Sequence, residues 1–401
     1  MLSLLSQREL GNDNPLTLQK AERTRRSAVV ELSKYQDFEA YHKAGINTLN
    51  LDVIDDRYLL SGAADGTVAI HDLHVSTGIP QGTYPKVAAV GKSHKHGHKY
   101  SVETVQWYPL DTGMFVSSGM DKFLKVWDTN SMKVADEYVF QGAVYSHDMS
   151  PIASHCLIAA GSQSSRVKLI DIKSGSATHT LRGHTHSVLA VKWSPKDEFL
   201  LVSGSEDNCV FLWDIRSAKA SLMKLDQHNG DTFAESNAAH TAHNGHVNSV
   251  LFTSDGMHIV SFGTDEKLRL WDAQTGQNTL TNYGKISNES RKGVQMAVTE
   301  NCNPEFLYVP EDADITIFNL WTGERMGSLN GHYNQVNCVL HNNQNQELYS
   351  GGNDRNMLVW RPDTEQLQAW EAELRGDRQD EKKGSFTSRV GTGDAWSDDD
   401  D

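Results

Sequence analysis

Histidine and aspartate recur in this chain at a spacing that invites an acid–base reading. Of its eighteen histidines, His98, His184, His246 and His332 each precede an aspartate, respectively Asp121, Asp207, Asp265 and Asp354. Six residues after each aspartate stands a tryptophan: Trp127, Trp213, Trp271 and Trp360. A His–Asp pair beside a hydroxyl is the raw material of nucleophile activation. The chain nevertheless carries no G-x-S-x-G, P-loop, HExxH or CxxC string, and nothing in it suggests an exposed nucleophile in a cleft. The other chemistry open to these residues is structural. An aspartate in a tight turn accepts from a histidine ring, and a strand hydroxyl and the indole N–H complete the relay, so that every polar group is satisfied inside a sheet. Losing one member should cost about 1–3 kcal/mol, because its partner is then buried and unpaired. The chain therefore reads as non-catalytic, with no cofactor and no metal site.

The elements that must hold such a relay are visible in Leu181 to Arg216, LRGHTHSVLAVKWSPKDEFLLVSGSEDNCVFLWDIR. Gly183-His184 opens this unit, Asp207 occupies a turn between its second and third strands, and Trp213-Asp214 ends the third strand. A single blade of this kind buries apolar residues on both faces and cannot do so alone, so the unit must repeat. Weaker copies keep the spacing with a substituted aromatic, from Asp65 to His71 and from Asp312 to Phe318, and a seventh has Ser164 and Ile170 in those places. The third-strand ends fall at Asp72, Asp128, Asp171, Asp214, Asp272, Asn319 and Arg361. Repeats of about 40–45 residues are those of the WD-type propeller. The expectation is all-β: one seven-bladed ring over residues 31–372, a helical leader over 1–30 and a disordered acidic tail over 373–401.

In the leader, Asn14-Pro15 reads as a helix start, with Leu18, Ala21, Arg25 and Ala28 on one side and Lys20, Arg23 and Arg26 on the other. A shorter first helix would hold Leu2 and Leu5. The pair is too short to stand alone and is expected to complete its burial in a groove on another protein. Residues 36–42, QDFEAYH, are expected to form an outer strand that pairs with the last blade and closes the ring. Three segments exceed the repeat, about 79–97, 225–244 and 280–293, and are expected on one rim. They bring Lys92, His94, Lys95, His96 and Lys99, and Arg291 with Lys292, as basic spots for a partner.

The formal net charge is −15. An acidic body is a poor binder of phosphate backbones, which are bound through Lys and Arg, so proteins are the expected partners and little direct nucleic-acid binding is expected. No apolar run approaches membrane-spanning length. Cys156, Cys209, Cys302 and Cys338 lack metal-ligand spacing and read as inert thiols in a reducing compartment, cytoplasm or nucleus. In the tail, Ser397 stands before four aspartates as a possible phosphosite, next to Trp396.

Arg216 stands apart. Two residues after Asp214, it makes Trp-Asp-Ile-Arg, where the equivalent positions elsewhere are Asn130, Gln274 and Asp363. Trp-Asp-x-Arg resembles the motif of propellers that serve as substrate receptors for cullin-RING ubiquitin ligases of the cullin-four type. Longer strings resemble the Cockayne-syndrome-A-type receptors within that class: INTL from Ile46, KYSVETVQWYP from Lys99 to Pro109, DTGMF from Asp111, LKVWDTN from Leu124, LDQHNG from Leu225, AHNG from Ala242, FTSDG from Phe252, QELYSG from Gln346 and DAWS from Asp394. Pro15 to Arg26, PL-x-L-x-x-AE-x-TRR, belongs to the same set. The resemblance implies a nuclear receptor subunit in transcription-coupled nucleotide excision repair. Its leader (Leu2, Leu5, Leu16, Leu18, Arg23, Arg26) and Trp213, Asp214 and Arg216 would bind the damage-specific DNA-binding protein adaptor. The opposite rim would meet the Cockayne syndrome B translocase, stalled RNA polymerase II and other repair factors. The competing readings are a propeller that binds damaged DNA directly and a passive scaffold.

Overall fold

A computed structural model describes residue 11 and residues 15–75, 82–152, 154–217, 221–230 and 240–363. Strands from the described residues assemble into seven antiparallel blades. Blade 1 comprises Ile46–Leu51, Tyr58–Ala63, Val68–Asp72 and Lys86–Val90; blade 2, Val102–Trp107, Met114–Gly119, Phe123–Asp128 and Lys133–Val139. Blade 3 holds Val144–Met149, Leu157–Ser162, Arg166–Asp171 and Ser176–Arg182; blade 4, Val188–Trp193, Leu200–Ser205, Val210–Asp214 and Met223–Lys224. Blade 5 has Val247–Phe252, His258–Gly263 and Leu268–Asp272, and blade 6 Ala297–Val298, Phe306–Glu311, Asp314–Asn319 and Arg325–Asn330. Blade 7 consists of Val336–Asn342, Glu347–Gly352 and Met357–Pro362, completed by Val30–Leu32 from the other end of the chain.

The core is divided as the repeat requires. Seven apolar clusters each fill one seam between neighbouring blades; that between blades 4 and 5 joins Val202 and Leu212 to Val250, Ile259 and Trp271. The seam that closes the ring packs Ile46, Leu49 and Leu59 of blade 1 against Tyr349, Met357 and Val359 of blade 7. In six blades the register of the innermost strand shifts at its second residue, as at Ile46/Thr48 and Val188/Ala190. Such a bulge bends the strand locally, here at the same place around the ring.

Three expectations are corrected. The closing strand is Val30–Leu32, with Val30 opposite Pro362 and Leu32 opposite Trp360, whereas Gln36–Phe38 runs parallel to Gly82–Tyr84. Val30 is buried beside Phe306, Tyr308 and Trp360, which supplies the apolar anchor that QDFEAYH, with Phe38 turned to the seam of blades 7 and 1, gives elsewhere. The first long segment is split, since Gly82–Tyr84 precedes the fourth strand of blade 1 and only the residues after Val90 lead to blade 2. The third segment stands where blade 5 would have an outer strand: the chain makes one bridge, Trp271 to Asn278, and then continues without regular pairing past Tyr283, whose hydroxyl donates to the Leu320 carbonyl.

Candidate docking faces and the relays that set them

The relay exists in four blades. In blade 4 the Trp213 indole donates to Ser203 Oγ at 2.8 Å, Ser203 Oγ lies 2.8 Å from His184 Nε2, and His184 Nδ1 lies 3.0 Å from Asp207 Oδ2. One tautomer satisfies the chain: Nδ1–H donates to the carboxylate while Nε2 accepts from the hydroxyl. Burial by itself would push the Asp207 carboxyl up. The His184 ring and the amides of Thr185 and Cys209 overcome this and hold it at about 2. Blade 2 repeats the arrangement with His98, Asp121, Ser117 and Trp127, and blade 7 with His332, Asp354, Ser350 and Trp360.

In blade 5 the histidine is His243, not His246. His243 Nδ1 lies 2.8 Å from Asp265 and its Nε2 lies 2.7 Å from Ser261, which accepts from Trp271. His246 is exposed and its ring meets the Glu206 carbonyl. Separation along the chain carried the signal: the relay histidines precede their aspartates by 22 or 23 residues, whereas His246 precedes Asp265 by only 19. Blade 1 keeps a shortened version in which His42 reaches Ser61 and Thr67, and Thr67 hands on to Asp65. His71, in the tryptophan's place, donates from Nε2 to the Glu39 carbonyl at 3.1 Å.

Two faces follow from the strand directions. Turns joining the first to the second strand and the third to the fourth lie on one face, called lower here; the other turns and the blade-to-blade links lie on the upper face. Helix Pro15–Ala28 is held on the lower face by turns of blades 6 and 7. Thr24 Oγ1 accepts from the Asn303 amide, Arg26 donates to the Asn345 carbonyl, and the buried Ser27 donates to Gln346. The helix thus turns its polar residues to the propeller, and Arg23 is half-buried on that side. Ala21, Ala28 and Leu16 face outward, Leu16 with 63% of its surface exposed to solvent, and Leu18 is partly covered. This reverses the expected sides in part: a propeller surface rich in turn carbonyls and amides rewards Thr, Ser and Arg over alanine.

Arg216 shares that face, at blade 4. Its Nε and Nη2 donate to the two oxygens of Asp214 at 3.0 and 2.7 Å, and its guanidinium lies 4.4 Å from the ring centre of Phe199. The Arg216 hydrogen bonds hold the Asp214 carboxyl below its usual range. The guanidinium therefore stands in a fixed orientation with over half of its side chain exposed. Trp213, by contrast, is buried in the relay and lies behind the exposed face rather than on it. Phe199, which sequence reading did not single out, supplies the platform. Arg216 stands on blade 4 and the leader helix on blades 6 and 7; the lower mouth of the ring, lined from blades 1 to 6 by residues such as Val53, Pro109, Pro151, Pro195, Phe252 and Val298, opens on the same face. Leu2, Leu5 and Ser397 lie outside the described residues.

On the upper face, Lys92, His94, Lys95 and Lys99 are exposed and His96 is partly so. The loop is anchored from below: the buried Lys125 donates to the His96 carbonyl at 2.7 Å, and tight turns link Gly91, His94 and Gly97. Arg291 is exposed, but Lys292 is spent on Glu103 at 3.3 Å. No cluster of three metal-ligating side chains occurs among the described residues, nor is any described helix long and apolar enough to cross a membrane.

The WD domain, G-beta repeat family matches residues 91–128, 175–214, 235–272 and 323–361, the four units that end in a complete relay. The WD repeat-containing protein ATCSA-1 of Arabidopsis thaliana is 34% identical over 432 aligned positions, covering 90% of this chain and 95% of that protein. The ribosome biogenesis protein WDR12 homolog of Aedes aegypti is 36% identical over 34% of this chain and 32% of its own length. The radiation-sensitive protein 28 of Saccharomyces cerevisiae is 25% identical over 43% of this chain and 38% of its own length.

Proposed function

This chain belongs to the family of the Arabidopsis WD repeat-containing protein ATCSA-1, and from that premise we propose that it is the substrate-recognition subunit of a cullin-four-type RING ubiquitin ligase, acting in the nucleus in transcription-coupled nucleotide excision repair. Propellers built from these repeats typically serve as non-catalytic scaffolds or receptors, and ubiquitin transfer would belong to other subunits. The lower face, with the leader helix and Arg216, would bind the damage-specific DNA-binding protein adaptor. The upper face would receive the Cockayne syndrome B translocase and stalled RNA polymerase II.

The observation that carries this reading is the placement of Arg216 and the leader helix on one face while the loop from Gly91 to Tyr100 emerges on the other. A receptor must hold its ligase and its cargo at once, and opposed faces keep the two from competing. Co-purification with the adaptor tests it. Deleting residues 1–22 while changing Arg216→Ala should abolish adaptor binding and leave the melting temperature of the ring unchanged, because Thr24 to Ser27 and Val30 are retained. Adaptor binding that survives both changes overturns the assignment of the lower face.

A further inference from the structure

Each relay does more than hold its turn. Its aspartate also accepts the backbone N–H of the residue that follows the histidine: Lys43 at 2.9 Å, Lys99 at 3.3 Å, Thr185 at 2.9 Å, Asn244 at 3.1 Å and Tyr333 at 3.3 Å. The residue after the aspartate stands at positive φ, at Gly66, Lys122, Asn208, Glu266 and Arg355. Two residues per relay blade are thereby fixed at the upper face, and their identities divide the ring. In blades 4 and 5 they are Thr185, Asn208, Asn244 and Glu266, the last paired with Lys285 at 2.7 Å. In blades 7, 1 and 2 they are Tyr333, Arg355, Lys43, Gly66, Lys99 and Lys122.

These three blades form one continuous arc. A Cβ on Gly66 would lie 2.6 Å from the His98 carbonyl oxygen and 2.9 Å from that of Tyr100, so blade 1 abuts the Lys99 segment of blade 2. Gly45, beside Lys43, meets Asn353 in the turn that carries Arg355. Tyr333 is 90% exposed and Tyr100 65% exposed. Among the described residues Lys43, Lys99, Lys122 and Arg355 make no ion pair, while the aspartates beneath them are engaged by ring and amide donors. An exposed arc of cations outside any ion pair, with two exposed phenol rings beside them, suits a short run of carboxylates that includes an aromatic residue.

The chain itself has such a run, DAWSDDDD from Asp394 to Asp401. We propose that this acidic end docks on the basic arc of its own upper face, with Trp396 set among the exposed tyrosines, and so competes with any acidic segment of a partner for that arc. The proposal is independent of the family reading. Its geometry is permitted: the described chain ends at Asp363, just beyond the third strand of blade 7, the blade that carries Tyr333 and Arg355. The stretch from 364 to 393 has a contour length on the order of 100 Å at the extended rise per residue, more than the ~20 Å length of a six-residue strand that separates the two faces.

Zero-length carbodiimide cross-linking of the full chain, read by peptide mapping, tests it. The expected result is links from Asp398–Asp401 to Lys43, Lys99 and Lys122, formed within one chain and reduced about fivefold in 0.5 M salt, where screening is strong. Links spread evenly over Lys224 and Lys267 as well, or formed only between differently isotope-labelled copies, overturn the proposal. A second measurement removes dependence on the cross-linker. Changing Asp398–Asp401 to asparagine should raise the reactivity of Lys99 and Lys122 toward an amine-acylating reagent about threefold, the scale of releasing a lysine from a weak surface ion pair, and leave Lys224 unchanged. Equal reactivity in the two proteins overturns it.

Discussion

Blade 4 and blade 6 occupy equivalent positions in one ring and are held in different ways. In blade 4, Trp213, Ser203, His184 and Asp207 form an unbroken buried relay whose aspartate also fixes the Thr185 and Cys209 amides. In blade 6 the carboxylate of the corresponding aspartate, Asp312, receives the Ser287 hydroxyl at 3.1 Å and no relay histidine or turn amide among the described residues, and Phe318 replaces the tryptophan within an apolar cluster. Its polar contacts have moved to the surface side, where Glu311 takes Arg325 at 3.4 Å. The difference teaches that seam packing suffices to build a blade, while the relay adds a defined turn and defined outward side chains. Blades without it can lose an aspartate cheaply, and blades with it cannot.

Replacing the two aspartates breaks the comparison most sharply. Asp207→Ala should cost about 2–3 kcal/mol, because a histidine ring and two amides lose their acceptor together, while Asp312→Ala should cost less than about 0.5 kcal/mol. Urea unfolding of both variants measures the contrast; equal losses would show that the relay contributes nothing beyond packing.

Acid titration follows in size. Burial holds His42 and His341 at about 4 and His147 at about 3. In the folded state these rings therefore charge at lower pH than in the unfolded chain. The unfolded state binds more protons below about 6.5, so stability is full above that pH and falls as pH drops toward 4, by on the order of 1–3 kcal/mol per ring. Asp207, held at about 2, adds a further loss only between about pH 4 and pH 2. Unfolding free energy measured from pH 8 to pH 4 should decline, and His42→Gln should flatten the decline; a flat profile in the parent chain contradicts the burial of these rings as neutral groups.

Within blade 5 the two neighbouring histidines sharpen the same point. His243→Ala should cost about 1–3 kcal/mol by removing the buried ring that links Ser261 to Asp265, although Asp265 keeps Arg269 and the Asn244 amide and Ser261 keeps the Trp271 indole. His246→Ala, at an exposed ring, should stay within about 0.5 kcal/mol, and thermal melts of the pair separate them. The smallest effect belongs to Arg216→Ala: with both its partners at the surface, Asp214 and Phe199, the change should alter stability by less than about 1 kcal/mol. Its consequence is expected in adaptor binding alone.

The recurrent Asp-to-Trp spacing of six residues, the third-strand ends and the relay residues of blades 2, 4 and 7 were legible in the sequence because each is a local pattern repeated against a fixed period. His243 was legible too, had the His-to-Asp separation been held to the value of the other blades. Other features were not. That Val30–Leu32 closes the ring, and Gln36–Phe38 does not, depends on which segment meets Trp360 and Phe306 from more than 270 residues away. That the leader helix lays Thr24 and Ser27 on the propeller, and leaves Ala21 and Ala28 outside, depends on the turns of blades 6 and 7 offering Asn303, Asn345 and Gln346 at one place.

The sequence by itself determined a seven-fold repeat, the residues of the buried relays in blades 2, 4 and 7 and the singular position of Arg216, since each blade writes its own hydrogen-bond partners within about 40 residues. Only the tertiary structure decided which strand seals the ring, which side of the helix is covered, and that four unpaired cations and two tyrosines from three blades form one surface. Those outcomes come from groups far apart in the chain, whose encounter is set by closure of the ring and by which polar atoms remain to be satisfied once it has closed.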